Sequence, residues 1–342
     1  MHYFSGMKNA EVSVLLPFYN PGVHFESALA SVINQEDCAF ELILVNNNSD
    51  PVSVEIASEL ERKFDHVKLY HENEQGIAFA LNKGLTFCKS RYVARMDADD
   101  LMLPGRLKLQ FDFLETNHHI GMVAGLVTTL NDVQGAEGMD FFTNQINELL
   151  TERSIYHHRF VESPFAHPSV MYRKSLIDAF GHYNSSGIPE DYELWLRWFS
   201  HGIVMSKIPH EVLLWRDHGN RLSRNHPDYS RTAFNHIRYR YLVQWIKSKP
   251  DQTKPVWIWG GGKFSKKNAK VLTENGITVA GFIDIFPERK IPGFEVLHYS
   301  QIPPPGEIFI VSMISNRGKN KEVEQYLLDR GYQPDRDYIL AG

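Results

Sequence analysis

Short apolar runs alternate with amphipathic stretches through the first half of the chain, which is the pattern of βαβ units. Val12-Ser13-Val14-Leu15-Leu16 reads as a buried strand ended by Pro17. A helix follows, with Phe25, Ala28, Leu29, Val32 and Ile33 on one face at helical spacing. Leu42-Ile43-Leu44-Val45 is a second strand, stopped by the turn-forming run Asn46-Asn47-Asn48-Ser49-Asp50-Pro51. A third element, Val67-Lys68-Leu69-Tyr70, precedes Gly76 and a helix through Ala80 and Leu81 to Gly84. Tyr92-Val93-Ala94-Arg95-Met96 is a fourth strand and runs straight into Asp97. From Leu126 to about His157 the pattern turns irregular, then helical from about Phe141 to Leu150. An insertion of that length is more often functional than idle. Pro189-Glu190-Asp191 opens a strong helix, because proline and acids in the first turn complement the helix dipole.

Residues 221–254 hold eight Lys or Arg against two acids, Asp228 and Asp251, with Phe234, Ile237, Tyr241 and Trp245 at helical spacing. A new βαβ pattern starts at Val256-Trp257-Ile258-Trp259, so a domain boundary is expected near Pro250 to Pro255. The expected organisation is a larger α/β domain over 10–225, a basic helical linker over 226–253 and a small α/β domain over 254–342. In the last, Gly260-x-Gly262-x-x-Ser265 follows the first strand, and Asp284 ends the second. That spacing approaches a dinucleotide fold but lacks its third glycine. A tail that packs or forms a homodimer is the favoured reading, over a nucleotide or phosphate site at Gly260 to Lys263. The basic helix reads first as a packing face. Peripheral contact with anionic lipid, on the inner face of a membrane, is its alternative.

The chain has 342 residues, is 43% hydrophobic and 23% charged, and carries a net charge of -5. It has ample apolar content for a globular core, and its negative balance argues against a nucleic-acid partner. Its two cysteines, Cys38 and Cys88, are far apart and make no disulfide framework. The first eight residues lack the charged start and apolar stretch of a signal peptide, so a cytoplasmic location is expected.

The acidic strand end Asp97-Ala98-Asp99-Asp100 carries the chemistry. Residues two apart in a strand point to the same side, so Asp97 and Asp99 aim both carboxylates beyond the strand's C-terminal end. Ligands bind there in open α/β sheets. Two hard oxygen donors suit Mg²⁺ or Mn²⁺, which take one or two carboxylates plus phosphate oxygens. In isolation such a pair is more often an exposed acidic turn; its neighbours change that.

Five segments in order resemble glycosyltransferase family 2, whose catalytic domain has the nucleotide-sugar-binding fold called GT-A. They are residues 12–20 (VSVLLPFYN), 41–50 (ELILVNNNSD), 73–84 with Asn73, Gly76 and Asn82, 95–107 (RMDADDLMLPGRL), and the pair 167–183 with 190–197 (EDYELWLR). The resemblance spans about Val12 to Ser223. It implies a mixed, mainly parallel sheet and donor contacts from Pro17, Tyr19, Asn46, Gly76, Asn82 and Asp97. It also implies metal ligation by Asp97 and Asp99 and a catalytic base at Asp191. His218, in Arg216-Asp217-His218-Gly219 with Ser223, resembles the family's later Arg-x-His segment and is either a third metal ligand or a diphosphate donor. The two-domain arrangement is similar to that of β-1,3-N-acetylglucosaminyltransferase-like proteins with a Rossmann-like tail. Two departures stand out. Asn46 occupies the place of the family's uracil-binding Asp, and Leu81 that of a frequent Arg, which leaves phosphate contact to Lys83 or Arg106.

The resemblance therefore implies an inverting, metal-assisted transfer of N-acetylglucosamine or another hexose from a UDP-sugar to a hydroxyl of a glycan or lipid-linked acceptor. Trp195, Trp198 and Trp215 stand either as sugar-stacking rings or, at helical spacing, as core. A nucleotide-sugar-binding scaffold with a decayed site is the alternative. A sugar-phosphate nucleotidyltransferase needs a Gly-rich loop after the first strand, and residues 17–21 (PFYNP) offer none.

Overall fold

The structure, a computed structural model, describes residues 10–131, 137–219, 221, 224, 226–249, 253–286, 288–314, 316 and 318–342. Ser223, Pro250 and the first eight residues lie outside the described residues. The chain divides into two compact units. The first runs to Glu152 and resumes over Phe165–Ser230, and the second joins Arg153–Pro164 to Arg231–Gly342.

The first unit is built on an eight-stranded mixed sheet. Its strands are β1 (Val12–Phe18), β2 (Phe40–Asn46), β3 (Val67–His71), β4 (Tyr92–Arg95), β5 (Leu101–Met102), β6 (Ile120–Asn131), β7 (Met171–Arg173) and β8 (Val204–Asp217). They lie in the order β3-β2-β1-β4-β7-β6-β8-β5. The half from β3 to β4 is parallel, with α1 (Phe25–Ile33), α2 (Pro51–Lys63) and α3 (Ile77–Leu85) as crossovers. β7 is antiparallel to both its neighbours, and β5 is antiparallel to β8. Ligand chemistry concentrates where strand order reverses, between β1 and β4.

Local chemistry accounts for these elements. α2 starts with Pro51 at its first position and Asp50 as cap, whose carboxylate accepts from Ser53 N at 2.9 Å. α3 lies so close to the sheet that a Cβ on Gly84 would stand 2.2 Å from Leu15 Cδ1, so glycine is needed there. α4 (Arg106–Thr116) is pinned from inside. Arg106 is fully buried and donates through Nη2 to Arg95 O at 2.8 Å and through Nε to Gln110 Oε1 at 3.0 Å. Burial, with the charge of Arg95, pushes its pKa down to about 9. Arg106 is therefore a structural pin for main-chain carbonyls, not the phosphate contact expected of it.

Two expectations about strands are corrected. Pro17 does not end β1; it lies buried within it, paired with Val45. Leu15 O accepts from Met96 on the β4 side and Phe18 O accepts from Asn47 on the β2 side. Alternate residues face opposite neighbours, so Pro17 faces the β4 side, where pairing has stopped at Leu15 and no N–H is needed. The irregular stretch expected from Leu126 is strand as far as Asn131. Register shifts against β8 around Gly125 break the two-residue alternation that marks a strand in sequence.

The second unit holds a five-stranded parallel sheet: β9 (Val256–Trp259), β10 (Val279–Asp284), β11 (Glu295–His298), β12 (Phe309–Ser312) and β13 (Tyr338–Leu340). Its order is β11-β10-β9-β12-β13, the first five positions of the Rossmann strand order. The basic stretch expected as a linker folds into this unit as a helix, Arg231–Ser248, which buries Ile237, Tyr239, Leu242 and Ile246. Residues 153–164 join the same unit. Trp245 Nε1 donates to Tyr156 Oη at 3.1 Å, and the Arg159 guanidinium lies 3.5 Å from the Tyr156 ring centroid. At the glycine turn, Asp284 Oδ2 accepts from Gly261 N at 2.7 Å and pairs with Arg289 Nε at 3.0 Å. The acid whose spacing approaches that of a dinucleotide fold is thus committed to the turn itself. Among the described residues, no helix is long and apolar enough to cross a membrane.

Candidate active site

The site begins at the C-terminal end of β4. Met96 N donates to Leu15 O, and the chain then leaves the sheet, turns through residues 97–100 and enters β5. Asp97, Asp99 and Asp100 each offer an oxygen, and these lie within 4.8 Å of one another. The pairing of β5 with β8 (Leu101 with Leu214, Met102 with Leu213) carries the end of β8 to this turn. Arg216 N donates to Asp100 Oδ1 at 2.8 Å and Arg216 Nε to Asp99 O at 2.9 Å. His218 Nε2 then stands 2.7 Å from Asp99 Oδ2. His218 therefore joins the acidic turn across 119 residues of sequence. His24 adds a ring 5.8 Å from that of His218, a neighbour that no motif marked.

Arg95 and Asp97, two apart along the strand, form an ion pair. Arg95 is only 1% exposed, and its Nε is buried with no hydrogen-bond partner among the described residues. Burial and the Asp99 charge raise the Asp97 pKa against the pull of Arg95. Burial with both neighbouring carboxylates drives Asp100 well up. At Asp99 burial is outweighed by the His218 hydrogen bond and the charge of Arg221, and the pKa falls. The three crowded carboxylates, with Asp100 Oδ2 buried and unpartnered among the described residues, make a hard oxygen donor set that fits a divalent cation, and the His218 imidazole stands beside it.

Asparagines order the loops that follow β2 and β3. Asn46 at the end of β2 accepts from Ser49 N at 2.9 Å through Oδ1 and places Nδ2 3.1 Å from His71 Nδ1. Asn47 donates to Glu72 O and Glu74 O and accepts from Gly76 N. Gly76 sits at φ +141°, a conformation that favours glycine, immediately before α3. Tyr19, 56% exposed, lies just past buried Pro17, at the edge of these loops. Asn82 is used differently. Its amide clasps the backbone of Tyr183, accepting from N at 3.0 Å and donating to O at 2.9 Å. Lys83 Nζ lies 5.7 Å from the centroid of the Phe87 ring.

The second half of the site is the start of the helix α8 (Glu190–Ser200; α5 is Glu137–Glu148, α6 Glu152–His158 and α7 Ser175–Phe180). Asp191 Oδ1 accepts from Tyr192 N at 2.6 Å. Burial nevertheless pushes the Asp191 pKa up to about 6, against Tyr192 N and Arg95. Desolvation thus outweighs the helix dipole that the sequence suggested would lower it. Asp97 adds a smaller upward push on Asp191, so the two acidic groups feel each other. Arg95 is the shared cation, its charge acting on Asp97, Glu190 and Asp191 alike. Trp195 and Trp198 are fully buried and Trp215 is buried, so these rings are core.

Sequence reasoning did not single out Tyr229, whose hydroxyl lies 2.5 Å from Glu190 Oε2. Nor did it give Arg95 a role, though a charge inside an otherwise apolar strand is a readable signal. Tyr229 lies in a short turn with no comparable mark.

Comparison with known proteins gives the family and the fold. A model of glycosyl transferase family 2 matches residues 13–180. The chain is 31% identical over 196 residues to the O-antigen biosynthesis glycosyltransferase WbnJ of Escherichia coli, covering 54% of this chain and 70% of that one. It is 28% identical over 195 residues to the E. coli UDP-Gal:alpha-D-GlcNAc-diphosphoundecaprenol beta-1,3-galactosyltransferase, covering 56% and 68%. Among solved structures it resembles S. aureus TarS 1-349 in complex with UDP-GlcNAc, with a TM-score of 0.54 and 16% identity over 78% of this chain and 71% of that one. That likeness is one of fold. On these grounds the chain is a glycosyltransferase, a member of family 2 with the GT-A fold.

Proposed function

We propose that the chain moves a hexose from a UDP-sugar to a hydroxyl of a glycan or lipid-linked acceptor, with inversion at the anomeric carbon and Asp191 as the base. One observation carries the reading: two separate acidic groups, the Asp97–Asp99–Asp100 turn with His218 and the buried Asp191 carboxylate, both feel the charge of the buried Arg95. The names of the relatives support a UDP donor and a lipid-diphosphate acceptor, as borne by the E. coli galactosyltransferase. The family match ends at residue 180, so the base reading rests on geometry.

Asp97, Asp99 and His218 would hold Mn²⁺ or Mg²⁺, which supplies positive charge against the leaving diphosphate. Arg216 and Arg221 add fixed positive charge at the same place. Asp191 takes the proton of the acceptor hydroxyl as that oxygen bonds to the anomeric carbon and the bond to the diphosphate oxygen breaks. A carboxylate with a pKa of about 6 is largely ionised at pH 7 yet basic enough to accept that proton. The deciding test is Asp191→Asn. Transfer should fall by at least about a hundredfold, the usual worth of a general base, with donor affinity unchanged. A fully active variant rules the base out.

A further inference from the structure

Glu190, beside the base, is the more deeply buried carboxyl of the pair, at 3% exposure. The groups facing it can be named element by element. From the turn Pro227–Tyr229, the Tyr229 hydroxyl lies 2.5 Å from Oε2. From the turn His167–Ser169, His167 Nδ1 lies 3.7 Å from Oε1. Its own helix contributes Asp191, and β4 contributes the charge of Arg95. The described side chains within reach of its oxygens, Tyr229 and His167, are both neutral. Burial, with the charge of Arg95, drives the His167 pKa well down, and burial with Glu190's own charge drives that of Tyr229 up.

The contacts continue beyond Glu190. His167 Nε2 stands 2.9 Å from the Tyr183 hydroxyl, and the Tyr183 backbone is the one clasped by Asn82 of α3. On the other side, a Cβ on Gly187 would sit 3.3 Å from Asp228 Oδ1, so the Tyr229 turn also lies against the loop that leads into α8. Side-chain contacts therefore run Tyr229, Glu190, His167, Tyr183, with Asn82 holding the Tyr183 backbone, and they brace the first turn of the helix that carries Asp191.

We infer that Glu190 is the neutral, proton-holding partner of Asp191, that Tyr229 keeps it in place, and that both are positioning residues for the transfer. Two carboxyl groups buried side by side do not both ionise readily, and separated environments decide which one keeps the proton. Among the described residues, the side chains within reach of the Glu190 oxygens are the uncharged Tyr229 and His167, and the Asp191 carboxylate accepts Tyr192 N at 2.6 Å. The pair then carries one negative charge near pH 7, and that charge sits on the base. Burial and the Asp191 charge push Glu190 up to about 8, in line with this division. The inference rests on the reading of Asp191 as base, and the test separates the two.

The measurement is a ¹³C titration of the glutamate carboxyl carbons in the full chain, with the Glu190 signal identified by its loss in Glu190→Gln. The expected midpoint is about 8. Tyr229→Phe removes the hydroxyl that favours the ionised form, so it moves the midpoint upward. A midpoint in the ordinary carboxylate range, or one that Tyr229→Phe leaves in place, overturns the inference. In parallel, release of UDP from UDP-GlcNAc with Mn²⁺ gives kcat and KM. Glu190→Gln, neutral like the protonated acid, should lower kcat by about tenfold or less at unchanged KM, far short of the loss in Asp191→Asn. Tyr229→Phe should lower kcat about tenfold at unchanged KM, as expected when a base is held less well in line. Loss of activity in Glu190→Gln as complete as in Asp191→Asn overturns the inference. Full activity in Asp191→Asn defeats the base reading instead and leaves the titration standing.

Discussion

Asn47 Oδ1 accepts the backbone N–H of Gly76 at 2.8 Å, so one buried amide joins the end of β2 to the start of α3. The same side chain donates through Nδ2 to Glu72 O at 3.0 Å and Glu74 O at 2.7 Å. Three backbone groups of the 72–76 loop thus depend on a side chain that is 2% exposed. Asn47→Asp replaces the donor with an oxygen facing two carbonyls and buries a charge. The expected cost is about 3 kcal/mol of stability, read as a lower urea midpoint. A change within about 0.5 kcal/mol would show that the loop does not rely on this amide.

Chelation tests the acidic turn. Stripping divalent ions with EDTA should weaken UDP binding at least about tenfold, near 1.4 kcal/mol, with Mn²⁺ restoring it. Asp99→Asn removes the carboxylate that His218 touches and should show the weak affinity with or without added metal. UDP affinity independent of both metal and Asp99 would contradict the assignment of the turn.

Much of this was legible in sequence because the parallel half of the first unit is locally encoded. β1, β2 and β4 are mostly apolar runs, as strands buried on both faces tend to be, and Asp97 follows at a strand end. The acidic pair and the helix start at Glu190 were readable for the same reason. What resisted reading depends on distant partners. β5 has two residues and exists through its pairing with β8, and the bulged β6 loses its alternation. Tyr229 touches Glu190 across 39 residues, and Arg106 turned out to be a buried pin because main-chain carbonyls surround it. Neither fact has a local signature.

The second unit carries a pH-sensitive anchor for residues 153–164. His157 lies between Glu324 and Asp335 at 3.4 Å and 3.3 Å, and His158 Nε2 lies 3.2 Å from Glu324 Oε2. At His158 burial is outweighed by Glu324, and the pKa rises above its usual 6.5. Its contribution is therefore full below 6.5 and fades as pH rises through the raised value. At Glu324 and Asp335 burial is outweighed by the histidines, with Arg159 assisting at Asp335, and both pKa values fall. Their contributions are full above the usual 4.5 and 3.8 and fade as pH falls through the lowered values. Amide exchange in the helix Lys319–Asp329, which bears Glu324, should be slowest relative to the intrinsic rate between about pH 5 and 6. His158→Gln should flatten the alkaline side of that profile. Equal protection at pH 5.5 and pH 8 would mean that the anchor does not titrate.

The most direct test of the catalytic account is turnover of a panel of nucleotide sugars with Mn²⁺ or Mg²⁺ and no acceptor, scored as nucleoside diphosphate released to water. The account predicts slow, metal-dependent release from a UDP-sugar, lost in Asp99→Asn. Binding of no nucleotide sugar at millimolar concentration, with or without metal, would contradict it.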